Sequence, residues 1–247
     1  MNAHATLVIV PAVFFVATTF RSAFGFGEAL IAVPLLALIL PIRVATPVAV
    51  LCSITVALIV VLQDWRHVHA RSAILLVLST LAGIPLGLLL LKRVPEPFVK
   101  FTLGLVILGF SLYALLGRKR KGLHSDKLAW LFGFAAGVLG GAYGINGPPL
   151  AIYGSLRGWS PQHFRATLQG YFLPASLMVM GGYWAAGLWT RTVSHFYLLS
   201  LPLVIVAVFL GRAINRRMST GRFVLFVHAG LIAVAVVLLA QALSILR

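Results

Sequence analysis

"GGAYGINGPPLAIYG", residues 140–154, packs five glycines and two prolines into fifteen positions, within a stretch (128–156) that has no Asp, Glu, Lys or Arg. An apolar run of that length ordinarily reads as one continuous helix. Glycine and proline are the residues that weaken a helix most. The segment therefore asks what surroundings would tolerate a broken helix at that point.

The rest of the chain supplies the surroundings. Hydrophobic residues make up 61% of it and charged ones 10%, against roughly a quarter charged in soluble proteins. Charge-free stretches also cover 44–63, 72–91, 101–117, 166–190, 192–211 and 223–246. About twenty apolar residues carry a helix across the hydrocarbon core, and most of these stretches reach that length. The composition predicts an all-α, polytopic integral membrane protein. The N-terminus "MNAHATLVIV" shows no basic stretch and no small-residue cleavage pattern, so no cleavable signal is expected. The single Cys52 excludes an internal disulfide.

A net charge of +16 could suggest nucleic acid as a partner. In a membrane protein, basic loops set orientation instead, and no nucleic-acid role is expected. Arg66 and Arg71 share one loop, and Arg118, Lys119, Arg120, Lys121 and Lys127 another. Arg157 and Arg165 flank a third, and Arg212, Arg216, Arg217 and Arg222 fill a fourth. Together these are thirteen of the twenty Lys and Arg residues. With those loops cytoplasmic, both termini are periplasmic and the remaining loops carry only scattered charge, with Lys92 and Arg93 on the opposite face.

The polar linker "GRKRKGLHSDK", 117–127, divides the chain almost equally. Across it, "AFGF" at 23–26 returns as "AYGI" at 142–145, and "AT" at 45–46 returns at 166–167. "FVKF" at 98–101 returns as "FVLF" at 223–226. Their order and near-constant spacing predict two repeats: an N-terminal membrane repeat (1–117), a basic cytoplasmic linker (118–127) and a C-terminal membrane repeat (128–247). Each repeat reads as a broken, re-entrant helical hairpin (6–40 and 128–158) plus three spanning helices. These are 44–62, 73–91 and 98–117, then 163–186, 193–211 and 223–246. A returning hairpin plus three crossings gives an odd parity, so the two repeats are expected in inverted topology. The basic loops require the same orientation.

Broken backbone at bilayer depth survives only where protein or a water-lined cavity satisfies its polar groups. In "GAYGINGPP", glycines permit positive φ and close approach, Asn146 or Gly147 can cap the next half-helix, and Pro148 suits its first turn. Such a half-helix start is an anion site. "RSAFGFGEALIAVP", 21–34, places Gly25 and Gly27 at the matching break. The candidate substrate-binding residues are therefore Arg21, Gly25, Gly27, Glu28, Gly144, Asn146, Gly147, Pro148 and Gln169. Arg21 and Glu28 are ionisable groups at membrane depth, which commonly mark a pathway, a pair or a proton relay. Arg21 is a candidate anion contact and Glu28 a candidate titrating group; a purely structural pair is the alternative. Asn146 and Gln169 are neutral donors, although Gln169 could equally make an interhelical hydrogen bond. Glycine also has a packing role: Gly137 and Gly141 fit the small-residue spacing of close helix pairs.

No catalytic residue, metal or cofactor is predicted. "HVH" at 67–69 with Asp64 is too sparse a ligand set, and only four acidic residues exist in the chain. Trp65, Trp130, Trp159, Trp184 and Trp189 fall near segment ends, as interfacial anchors do.

The stretches "FRSAFGFGEALIAVPLLALIL" (20–40) and "GFAAGVLGGAYGINGPPLAIY" (133–153), with the basic linker and overall length, resemble the sulfite exporter TauE/SafE family of membrane permeases. The resemblance spans essentially the whole chain. It implies transport of a small sulfur-containing anion, such as sulfite or a sulfonate, across the bacterial inner membrane. Glu28 departs from the small or apolar residues more usual there. The expected function is a secondary transporter working by alternating access, with an anion channel or a membrane enzyme acting on lipid phosphates as alternatives. Its partners would be the anion and the bilayer, and either a monomer or a homodimer would serve.

Overall fold

A computed structural model describes residues 3–64, 70–116, 128–158, 161–215 and 221–246. The linker 118–127, Trp65, His67, His69, Trp159, Arg216 and Arg217 lie outside the described residues, as do the side chains of His163, Arg165, Arg222 and His228.

Ten helices make up the described chain: α1 (Ala3–Phe24), α2 (Glu28–Ala37), α3 (Ile42–Asp64), α4 (Ala70–Arg93), α5 (Glu96–Leu115), α6 (Ala129–Tyr143), α7 (Gly147–Leu156), α8 (Pro161–Ala185), α9 (Arg191–Asn215) and α10 (Gly221–Leu246). Each half thus runs as a helix, a glycine break, a ten-residue helix and three long helices. Among the described residues, Ala5–Phe24, Ile42–Leu62, Ala73–Arg93, Glu96–Tyr113 and Arg191–Ile214 are long and apolar enough to cross a membrane. A ten-residue helix rises only about 15 Å and cannot span alone, so α2 and α7 each need cover from neighbouring protein.

The packing keeps its pattern when the two halves are exchanged. Helix α4 lies on α6, and its counterpart α9 lies on α1; α3 meets α8, and α5 meets α10. Side chains follow the same rule. Thr55 of α3 bonds the Tyr197 hydroxyl of α9 at 2.8 Å, and Thr80 of α4 bonds the Tyr171 hydroxyl of α8 at 2.6 Å.

Lipid tails are as apolar as leucine, so close backbone approach must hold the helices together in place of hydrophobic burial. The α4–α6 pair shows it. A Cβ on Gly137 would stand 2.3 Å from the Thr80 carbonyl oxygen, one on Gly83 2.2 Å from that of Phe134, and one on Gly87 2.1 Å from that of Val138. The Gly137–Gly141 spacing is therefore a packing seam, as its pattern predicts. Leucines such as Leu62, Leu78 and Leu198 cover the outside. Trp130, Trp184 and Trp189 are exposed near the ends of α6, α8 and α9, where interfacial anchors belong.

Candidate anion site at the two helix breaks

Both breaks are made by glycines in the left-handed region. In the first, Gly25 and Gly27 have φ of 91° and 104°. The Gly25 N–H closes the end of α1 on the Arg21 carbonyl at 2.6 Å. Gly27 then stands at the cap position of α2 without a side-chain cap. The first backbone bond of α2 runs from the Ile31 N–H to the Gly27 carbonyl at 3.1 Å. The amides of Glu28, Ala29 and Leu30 consequently have no partner within their own helix. In the second break Gly144 has a φ of 66°. Its N–H reaches the Gly140 carbonyl at 2.8 Å, and the Ile145 N–H reaches that of Leu139 at 3.2 Å. A left-handed Gly144 whose N–H bonds back four residues is the αL ending of a helix.

The half-helix starts differ more than the sequence symmetry suggests. Helix α7 opens Gly147-Pro148-Pro149, and proline has no N–H. Within that first turn only Gly147 can donate, so the expected row of free amides exists at α2 and not at α7.

Each break leans on the opposite half. The Gln169 Nε2 of α8 donates to the Gly25 carbonyl at 2.7 Å, while Gly144 sits against Val50 and the Thr46 carbonyl of α3. Phe26 of the first break lies over Gly147 of the second: a Cβ there would be 3.3 Å from its ring.

Between the breaks lies a cavity of about 20 Å³, measured as the space open to the centre of a water molecule. Holding one water takes roughly 10–15 Å³ on that measure, so the site as it stands has room for little more than one water. Seven of the nine candidate residues line it: Arg21, Gly27, Glu28, Gly144, Asn146, Gly147 and Pro148. Gly25 and Gln169 are absent from the wall and stand behind it, bonded to each other. Ser53 and Phe172 line the cavity too and escaped the sequence reading. Ser53 carries a weak signal, a hydroxyl in the apolar run of α3; Phe172 carries none.

Arg21 and Glu28 are 3% and 1% exposed and form an ion pair at 2.7 Å. The glycine break brings them together across the turn. Arg21 Nη1 donates to Glu28 Oε2 at 2.7 Å and to Ser53 Oγ at 2.6 Å, and its Nη2 donates to Gln169 Oε1 at 3.1 Å. Its Nε is buried without a partner. Thr18 donates to the other Glu28 oxygen at 2.6 Å. Ser53 continues to Ser176 of α8 at 3.2 Å. The Phe172 ring lies 4.8 Å from the guanidinium carbon of Arg21, a cation–π distance. Asn146 is buried, yet its carboxamide makes no hydrogen bond among the described residues while bordering the cavity.

A buried guanidinium, unused amides on α2 and an uncommitted carboxamide together form a donor set suited to an oxyanion. Among protein families, the model for the sulfite exporter TauE/SafE family matches residues 10–238. The chain belongs to the TauE/SafE family. No curated protein and no solved structure matches it. Membership makes it a multi-pass membrane protein of a sulfite-exporter-type transporter family, whose members are transporters rather than enzymes. The residues matched to TauE/SafE include both breaks described above.

Proposed function

We propose that the protein is a secondary transporter for a small sulfur-containing anion, sulfite or a sulfonate, in the bacterial inner membrane. The observation that carries this reading is the buried Arg21 facing two half-helix starts across one small cavity. Charge at bilayer depth is costly and marks pathways, and half-helix starts at such depth suit anionic groups. Arg21 supplies the charge. The amides of Glu28, Ala29 and Leu30, the Gly147 N–H and the Asn146 carboxamide supply neutral donors.

The exchange-symmetric packing supports two repeats of inverted topology that rock against each other around this site, with both termini periplasmic and the linker 118–127 cytoplasmic. The cavity holds little more than a water, so an anion of four heavy atoms enters only when the breaks separate. That motion is what alternating access requires. The partners are the anion and the bilayer; one chain contains the whole site, so a monomer suffices and a homodimer is compatible.

Labelled sulfite in reconstituted vesicles tests the proposal. The expected result is saturable uptake with counterflow, lost on Arg21→Met. Uptake that never saturates and shows no counterflow would point to a channel and end the transporter reading.

A further inference from the structure

The carboxylate of Glu28 already occupies the place that an anionic substrate needs. It sits at the first position of α2, where the helix dipole favours a negative group, and takes the Nη1 of Arg21 at 2.7 Å. Thr18 holds its second oxygen at 2.6 Å. Among the described residues lining the cavity, Arg21 and Glu28 are the charged ones, so with both ionised the site has no net charge. Adding a monoanion would leave one buried negative charge unpaired, which costs several kcal/mol. The second half offers no compensation: at the position matching Glu28 it has Gly147, and at that matching Arg21 it has Gly140.

We infer that Glu28 is a tethered stand-in for the substrate, displaced from Arg21 by taking up a proton, so that one proton travels with each monoanion. This deepens the proposed function and rests on it. On anion entry the carboxylate of Glu28 gains a proton at Oε2 and releases Arg21 Nη1 to the incoming oxyanion; the site returns to zero net charge. On anion release the proton leaves and the ion pair re-forms. Thr18 goes on donating to Oε1, which becomes the carbonyl oxygen of the new carboxylic acid. The other titratable groups facing Glu28 are few. Arg21 comes from α1, and Cys52 from α3 lies within electrostatic range of both. From α5, Glu96 and Lys100 bind each other at 3.2 Å, and Glu96 caps the Ile42 amide beyond the far end of α2. The side chain of His228 on α10 lies outside the described residues.

The test uses the full chain in vesicles, with labelled sulfite in mildly acid buffer where the monoanion predominates. An internal pH dye follows protons and an imposed potassium diffusion potential follows charge. For the unmodified chain the expected result is one proton moved per anion, with uptake insensitive to the potential. Glu28→Gln mimics the protonated acid; it is expected to take up sulfite without proton movement, at a rate driven by the potential. Glu28→Asp is expected to keep proton movement, which separates the carboxyl's role from general damage to the fold. Uptake by the unmodified chain that follows the potential and carries no proton overturns the inference while leaving a transporter. Proton movement persisting in Glu28→Gln overturns it too. No saturable counterflow in the unmodified chain overturns the proposed function itself, and the inference with it.

Discussion

The two breaks begin from nearly the same sequence, Ala-Phe-Gly-Phe and Ala-Tyr-Gly-Ile, and diverge immediately after it. The first continues Gly-Glu and folds an arginine back onto that glutamate; the second continues Asn-Gly-Pro-Pro and carries no charge. At the first break three amides are unused but a carboxylate stands in front of them. At the second the prolines have removed two of the first three amides, leaving a rigid start and a carboxamide with nothing to bind. Two copies of one motif have thus been divided between tasks. One holds charge that can be exchanged, and the other offers shape and a neutral donor.

Substitutions can break that division, and the largest effect belongs to the charged side. Arg21→Met leaves the Glu28 carboxylate buried without its partner and should lower stability by about 3–5 kcal/mol, read from unfolding in mild detergent. Adding Glu28→Gln to it should recover most of the stability and none of the transport. A single variant as stable as the parent chain would mean that Glu28 is already neutral in the resting site.

The glycines come next. Ala at Gly27 must adopt a φ near 104° with its Cβ 2.7 Å from the Phe20 ring, a strain on the order of 3 kcal/mol. Ala at Gly144 meets a φ of 66°, which L-residues do visit, with Val50 at 3.0 Å, so about 1 kcal/mol is expected. Equal losses in the two variants would show the breaks to be mechanically alike.

Asn146→Ala has no hydrogen bond to lose, so its stability should change by less than about 0.5 kcal/mol. Its sulfite affinity should fall roughly tenfold, the worth of one hydrogen bond to a charged group, read from the concentration that half-saturates counterflow. A stability loss without an affinity loss would return Asn146 to a capping role. Ser53→Ala touches transport least. It removes the link between Arg21 and Ser176 and should cost about 1 kcal/mol of stability while transport continues.

Much of the fold was legible in the chain. Charge-free runs of spanning length gave the helices, and the glycine clusters gave both breaks within a residue or two, because neither feature depends on what lies alongside. Seven cavity-lining residues were legible for the same reason: a break in a membrane helix needs glycine, and a charge there is conspicuous. Phe172 was invisible, since one aromatic in an apolar helix resembles any other until its neighbour is known. Gln169 drew notice as a polar residue at depth, yet its job is to brace the Gly25 carbonyl behind the wall.

The sequence by itself determined that the chain lives in a membrane, where its helices stop, and which of its few charges are buried, since the bilayer penalises every exposed polar group whatever the topology. Only the tertiary structure decided that α3 and α8 support each other's breaks, that Glu28 rests on Arg21, and that the cavity beside them holds little more than a water. Those facts depend on distances in space, across a seven-residue glycine turn for the ion pair and between halves of the chain for the rest, which a one-dimensional pattern does not record.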